Sequence, residues 1–227
     1  MSVVSRLSKI MALVAFVAFG IANAEVGIQS FTNPVVWPND DNLDWSLGWE
    51  FAVTGSVTVD ALGYNYFYVP ELKFYGPQLE GPSVPLSGPL NSAHQVGIYD
   101  ASSQTLLASA TVTNASTGID GYLYTSLGSP VVLASGNYWI VGTTLGLGDG
   151  WIYQADDIVT GPAITYLTSG FTSGNGGVLG FPASPAPVQQ YLPVNFTTSP
   201  VPEPGGLSLL GLGLLGLVAA SRRRSAR

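Results

Sequence analysis

The sequence predicts an all-β protein, a jelly-roll-like antiparallel β-sandwich, on three observations. From residue 25 to residue 198, apolar side chains come in short alternating or continuous runs bounded by Gly, Pro, Asn, Asp and Ser, as they do in strands. No stretch of helical length shows the period of an amphipathic helix. Regularly spaced short strands are typical of a sandwich or a barrel.

Eleven segments of this region are candidate strands. They are Gly48 to Val53, Ser56 to Ala61, Gly63 to Val69, Gln95 to Asp100, Thr105 to Thr113, Tyr122 to Leu127, Pro130 to Leu133, Tyr138 to Leu145, Trp151 to Tyr153, Ala163 to Leu167 and Val194 to Thr198. In Thr105 to Thr113 one face holds Leu106, Ala108, Ala110 and Val112, so this strand is predicted to cover a core on one side only. We predict Val194 to Thr198 as the closing edge strand.

A secretory signal peptide is predicted at the N-terminus. Arg6 and Lys9 precede an apolar run at residues 10–21, and small residues occupy the two positions that a signal peptidase reads. We therefore expect export through the general secretion machinery and cleavage by signal peptidase after Ala24.

The C-terminal end carries a second signal with three parts. Pro202-Glu203-Pro204 is followed by an apolar segment at residues 205–220 and by a basic cluster at 222–227, which includes Arg222, Arg223 and Arg224. Such a basic cluster stays on the cytoplasmic side of a bilayer, so the rest of the chain is expected outside. As a helix the apolar segment is about 24 Å long, against a hydrocarbon core of about 30 Å, which suits transient residence better than permanent anchorage.

This order of signals resembles the PEP-CTERM sorting tail of exported Gram-negative bacterial proteins. The resemblance covers the last 27 residues and implies that an exosortase, a membrane-embedded cysteine protease-transpeptidase, recognises the tail and cuts near Pro-Glu-Pro. A plain single-span anchor is the alternative. We therefore divide the chain into a signal peptide at 1–24, one sandwich domain at 25–198 and a sorting tail at 199–227, with a transmembrane helix at 205–220.

The sandwich domain carries a weaker resemblance of its own. The segments that carry it are Leu47-Gly48-Trp49-Glu50-Phe51, Ala61-Leu62-Gly63-Tyr64, His94-Gln95-Val96-Gly97-Ile98-Tyr99-Asp100, Leu106-Leu107-Ala108-Ser109-Ala110-Thr111-Val112 and Pro130-Val131-Val132-Leu133. They are similar to an uncharacterised β-sandwich domain of secreted bacterial proteins. The resemblance implies a sandwich without assigned catalysis.

The charge of the exported region excludes some classes of partner. Six of the seven basic residues lie in the two terminal signals, so thirteen acidic residues and Lys73 give residues 25–200 a formal charge of −12. Such a surface repels phosphate backbones and anionic lipid. Nucleic-acid binding is therefore disfavoured, and membrane contact is expected only through the C-terminal helix.

Residue types for catalysis are scarce. The chain has no Cys, no G-x-S-x-G motif and a single His, His94, so it lacks the usual pairs of nucleophile and base. We expect His94 to be a structural residue at the start of a strand rather than a general base. Glu50, Glu71 and Glu80 are candidate acids for a glycosidase, which needs two carboxylates about 5–10 Å apart, but solvated surface acids are their expected role.

Two acidic clusters are weak candidates for calcium, an ion that takes several oxygen ligands. The first cluster consists of Asp40, Asp41 and Asp44, and the second of Asp149, Asp156 and Asp157. Neither has the spacing of an EF-hand loop. No cofactor is therefore expected.

Three tryptophans are candidates for a ligand platform on which sugar rings stack. Trp37 and Trp45 flank the first acidic cluster, and Trp151 follows a glycine-rich turn. Ordinary packing is the alternative for each of them.

The sequence thus predicts an exported, non-enzymatic cell-surface or extracellular-matrix protein, associated with exopolysaccharide or biofilm. An exosortase is expected to sort it through a transient inner-membrane intermediate. A carbohydrate-binding module is the alternative function, and a glycosidase is a more distant one.

Overall fold

The computed structural model describes residues 25–37, 43–68, 86–87, 90–119, 121–145, 149–173, 176–186 and 190–199. Every regular element within them is a strand: β1 (Glu25–Val26), β2 (Ile28–Trp37), β3 (Trp45–Asn65), β4 (Phe67–Tyr68), β5 (Leu86–Ser87), β6 (His94–Asp100), β7 (Leu106–Val112), β8 (Thr117–Ile119), β9 (Tyr122–Thr143), β10 (Trp151–Thr160), β11 (Ile164–Ser173), β12 (Ser184–Pro185) and β13 (Val194–Ser199). All strand pairs are antiparallel. The predicted all-β class is confirmed.

The predicted signal peptide and the predicted transmembrane helix lie outside the described residues. Within the described part of the chain, no helix is long and apolar enough to cross a membrane.

The main sheet is built on two long strands, β3 and β9. Its strand order is β1-β13-β3-β9-β6-β7, with β11 also paired to β3 and to β12, and β8 also paired to β9. β2 and β10 form a separate two-stranded sheet, as do β4 and β5.

A bend in the middle of β3 folds the main sheet over itself. Pairing of β3 with β9 is interrupted between Val53 and Ser56, where Gly55 has a φ of 84°, a conformation that costs glycine little. Before the bend β3 pairs with β11, and after it β3 pairs with β13. The two halves of the sheet therefore face each other as two layers.

The core fills the space between these layers. Trp49 and Phe51 from the first half of β3 pack on Phe196 of β13, with ring centroids 5.8 and 5.0 Å apart, and all three side chains are fully buried. The indole N–H of Trp49 donates to the carbonyl of Val194 at 2.8 Å, so its polar atom is satisfied. These contacts across the layers confirm a sandwich-like fold.

The predicted strands are found, but several are fragments of longer ones. The three candidates between residues 48 and 69 belong largely to β3, and the three between 122 and 145 belong to β9. Turn-forming residues inside these runs, such as Gly55 and Gly128, predict that a strand ends there. In the structure they lie at bulges, where the pairing register shifts and the strand continues. β10 continues to Thr160, well beyond the predicted Trp151 to Tyr153.

The structure differs from the prediction at two further places. β2 is not among the predicted strands, because Asn33 and Pro34 interrupt its apolar pattern. The backbone is irregular at the same place, since Asn33 has a φ of 48°. The segment Val194 to Thr198 is not the closing edge strand, since β13 pairs with β3 on one side and with β1 on the other. The two residues of β1, at the predicted mature N-terminus, cover that edge.

The predicted alternation of β7 is confirmed over most of its length. Ala108 and Ala110 are half-buried and Val112 is buried, whereas Ser109 is exposed. Leu106 departs from the pattern and is 43% exposed. The register between β7 and β6 shifts between Ala108 and Leu106, and this irregularity turns the strand locally.

Asp100 caps the turn between β6 and β7. Its Oδ1 accepts hydrogen bonds from the backbone N–H groups of Ser102 and Ser103, at 3.0 and 2.7 Å, and from both serine hydroxyls, at 2.7 and 3.0 Å. These bonds, the one from the Ser103 N–H most of all, lower the pKa of Asp100 to about 2 because they favour the ionised form.

A pH titration tests this cap. The folded pKa of Asp100 lies below the unfolded value of about 3.9, so its contribution to stability is present above pH 3.9 and is lost as the pH falls towards 2. We expect a titration of the purified protein, followed by NMR, to give Asp100 a midpoint near 2, and Ser103→Ala to raise that midpoint. An ordinary midpoint in the parent protein contradicts the cap.

Candidate functional site

Polar and aromatic side chains gather at one end of the sandwich, here called the distal end. It is defined by the strand ends at Trp45, Asn65, His94 and Thr143, which the folded sheet brings together. The opposite end, the exit end, contains the bend of β3 and Ser199, the last residue of β13. At about 3.3 Å per residue, the two ends are about 23 Å apart along the second half of β3.

His94 is fully buried at the distal end. Its Nδ1 lies 2.7 Å from the carbonyl oxygen of Thr143, and its Nε2 lies 3.1 Å from Oδ2 of Asp149. The carbonyl oxygen only accepts hydrogen bonds, so Nδ1 donates to it, and Nε2 shares the second hydrogen bond with the carboxyl group of Asp149. The arrangement is a buried histidine–aspartate pair in which both ring nitrogens are engaged.

Asp149, two residues before the start of β10, is 4% exposed and is hydrogen-bonded to the backbone. Its Oδ1 accepts from the N–H of Asn91 at 2.7 Å, and its Oδ2 accepts from the N–H of Ser92 at 2.8 Å. Asp149 thereby ties the segment before β6 to the segment before β10.

The ring of Tyr64 covers the imidazole of His94. Their centroids are 3.9 Å apart and their planes differ by 1°, so the two rings are stacked face to face. Burial, and after it the negative charge of Asp149, raises the pKa of Tyr64 well above its usual range. Among the described residues, the Tyr64 hydroxyl has no hydrogen-bond partner.

This geometry gives His94 a structural role. A general base needs a free nitrogen within reach of its substrate, whereas both nitrogens of His94 are engaged and the ring is buried. His94 is the first residue of β6, which confirms the prediction that it begins a strand. Its partners Asp149 and Tyr64 could not be identified from the sequence, because no local pattern links residues that lie so far apart in the chain.

An aromatic cluster lies beside the buried pair at the distal end. Trp45 is 5.6 Å from Phe171, and Tyr191 is 6.1 Å from both Phe171 and Tyr153. Trp45, Phe171 and Tyr153 are half-buried, so parts of their rings reach solvent. Partly exposed aromatic faces of this kind can stack on sugar rings.

The three tryptophans of the predicted platform have different positions. Trp45 keeps a partly exposed ring. Trp151 is 1% exposed and packs among Leu47, Ala186 and Tyr191, so the structure places it in the core and not on a platform. Trp37 pairs with Trp151 across β2 and β10, and its side chain lies outside what the structure describes.

A segment near the C-terminus matches a known sorting signal. Residues 200–224 match the family model of the PEP-CTERM protein-sorting motif. The chain carries a PEP-CTERM motif. The prediction made from Pro202, Glu203, Pro204 and the arginine cluster is thus confirmed as to family, although these residues lie outside the described part of the structure. No curated protein matches the chain, so the resemblance of the sandwich domain stays a prediction.

The PEP-CTERM motif implies export, processing by an exosortase and a final location at the surface or outside the cell. It starts at residue 200, and β13 ends at Ser199. The last strand of the folded domain therefore ends directly before the sorting motif.

Asp44 of the first acidic cluster is hydrogen-bonded to the backbone. Its Oδ2 and Oδ1 accept from the N–H groups of Gly176 and Gly177, at 2.5 and 2.9 Å. Asp40 and Asp41 lie outside the described residues.

The second acidic cluster does not form one site. Asp149 pairs with His94, while Asp156 and Asp157 lie well inside β10 and accept from side chains of β2, at 3.1 and 2.9 Å. Several residues of extended strand separate the two groups. The described residues contain no group of three or more His, Cys, Asp or Glu side chains that could hold a metal ion.

Glu50 is the described member of the three glycosidase candidates. It is half-buried, its Oε1 accepts from the Asn137 side chain at 3.4 Å, and burial raises its pKa while the Asn137 bond partly opposes that shift. Glu71 and Glu80 lie outside the described residues. The glycosidase alternative stays a prediction.

Proposed function

We propose that the protein is a non-enzymatic component of the cell surface or the extracellular matrix, associated with exopolysaccharide. The observation that carries the proposal is the placement of its two ends. The PEP-CTERM motif follows β13 at the exit end, and the aromatic cluster around Trp45 lies at the distal end. Delivery thus uses one end of the domain and leaves the other free to face the matrix. No cofactor is part of the proposal.

Fractionation of the native host with and without its exosortase tests this proposal. With the enzyme, we expect the protein in the matrix or surface fraction, with an intact mass that lacks the tail. Without it, we expect the full-length chain in the membrane fraction. The purified protein should release no reducing ends from the host exopolysaccharide. Release of reducing ends, or an unchanged distribution without exosortase, would contradict the proposal.

A carbohydrate-binding function is a second candidate, and the pair Trp45 and Phe171 favours it. Their rings are 5.6 Å apart and tilted by 32°, and both are half-buried. No Lys or Arg occurs among the described residues, so a neutral glycan is expected rather than an anionic one.

Truncation of Trp45 tests the glycan platform. Trp45→Ala should weaken binding of the secreted protein to its host exopolysaccharide by about tenfold, since one aromatic contact with its buried area contributes about 1.4 kcal/mol. Phe31→Ala is a matched control, because Phe31 is a half-buried aromatic on β2 outside the distal cluster. Equal binding by both variants and the parent, measured by co-sedimentation, argues against the platform.

A further inference from the structure

The sorting motif adjoins the fold without a spacer. β13 ends at Ser199 and the matched motif begins at residue 200. The five residues from 200 to 204 span at most about 17 Å when fully extended. Any enzyme that holds Pro-Glu-Pro must therefore come within that distance of the exit end.

The last residues of β13 are firmly held. Thr198 pairs with Glu25 of β1 and with Val59 of β3, and its hydroxyl donates to the Glu25 carbonyl at 3.2 Å. The Asp60 carboxylate accepts from the hydroxyls of both Thr197 and Ser199. Asp60 is available for this because the register between β13 and β3 skips it. The tail thus leaves the domain from a fixed point.

A short row of side chains lies on the outer face beside that point. Ser199 pairs with Thr58, and Thr58 pairs with Val132 of β9, so the three side chains share one face of the sheet. Val57 and Val59 point into the core, whereas Thr58 and Asp60 are partly exposed.

Val132 is the most exposed large apolar side chain of the described residues, at 65%. A single exposed valine does not by itself indicate a binding site. Val132, however, lies in the same cross-strand row as Ser199, the last residue before the sorting motif. We propose that this exit face, formed by Thr58, Asp60, Val132 and Ser199, contacts the exosortase while it processes the tail.

The charge of the exit end favours a protein partner over a lipid surface. Its carboxylates among the described residues are those of Glu25 and Asp60, and no Lys or Arg occurs among those residues. The α-amino group of the predicted mature N-terminus at Glu25 offsets one of these two charges, so the described exit end keeps a net negative charge. Anionic headgroups repel such a surface. A protein surface can match a row of hydroxyl, carboxylate and valine side chains in detail.

A charge at Val132 tests the contact in the native host. We expect Val132→Glu to slow tail removal at least tenfold, seen by intact mass as accumulation of full-length chain, because the contact must then bury an unpaired charge. Val178→Glu is the matched control: Val178 is an exposed valine, at 58%, near the distal end beside Gly177. It should be processed at the parent rate. Equal melting temperatures of the purified proteins should show that both variants are folded.

Two further variants distinguish contact with the exosortase from contact with anionic lipid. The first adds a flexible spacer of eight Gly and Ser residues between Ser199 and Pro200, which extends the mean reach of the tail by about 16 Å. With this spacer, Val132→Glu should be processed within about twofold of the rate of the spacer-containing protein that keeps Val132. Val132→Lys should also slow processing if the partner is the exosortase. Normal processing of Val132→Glu overturns the proposal. Slow Val132→Glu with normal or faster Val132→Lys overturns it in favour of anionic lipid.

Discussion

Replacement of His94 by leucine is expected to destabilise the domain by about 3–5 kcal/mol, because it removes one partner of a buried, hydrogen-bonded histidine–aspartate pair. Asp149 would keep its bonds from the Asn91 and Ser92 N–H groups but would lose its bond to the imidazole at a site that is 4% exposed. Domains of this size are stable by about 5–15 kcal/mol in total. The variant should therefore fold marginally or fail to be exported in quantity.

Urea and thermal unfolding of the secreted protein measure this loss. The contact itself is isolated by a double-mutant cycle with His94→Leu, Asp149→Asn and the double variant. We expect a coupling energy of at least about 1.5 kcal/mol, because residues in one buried network are not additive. Additive losses would show that His94 and Asp149 contribute independently, and the interpretation as a coupled buried pair would be wrong.

The fold class could be predicted because strand periodicity is local. Alternation of residues such as Ala108, Ser109 and Ala110 in β7 reports which face is buried, whatever the rest of the chain does. The lengths of β3 and β9 could not be predicted in this way. A glycine such as Gly55 can either end a strand or bend it. The outcome depends on the neighbouring strands β11 and β13, which lie more than 100 residues away in the sequence.

The grouping of residues at the distal end could not be predicted from the sequence, for a related reason. His94 and Asp149 are 55 residues apart, and Trp45 and Phe171 meet only through the pairing of β3 with β11. One sequence contains no signal that joins such positions. The sorting tail is the opposite case, since its function resides in a contiguous segment that a partner reads in order.

Glu203→Ala is expected to leave export and folding intact while full-length protein accumulates with its tail uncut. Glu203 is the one acidic residue of the tail and lies between two prolines. Proline lacks a backbone N–H, and the residue before it is biased away from helix. Glu203 is therefore expected in an extended segment, four residues beyond the fixed end of β13, where a recognition pocket can pair its carboxylate.

Mass spectrometry of tail peptides in fractionated cells measures the effect, and two comparisons locate its cause. Glu203→Gln keeps the shape of the side chain without its charge. If the pocket pairs a carboxylate, Glu203→Gln should accumulate with an uncut tail, as Glu203→Ala does. Replacement of Arg222, Arg223 and Arg224 together removes the topology signal instead and should give misinserted or released protein with an uncut tail. Normal processing of Glu203→Ala would remove the assigned role of that carboxylate. Retention of Glu203→Ala together with normal processing of Glu203→Gln would show that the pocket reads the shape of the side chain and not its charge.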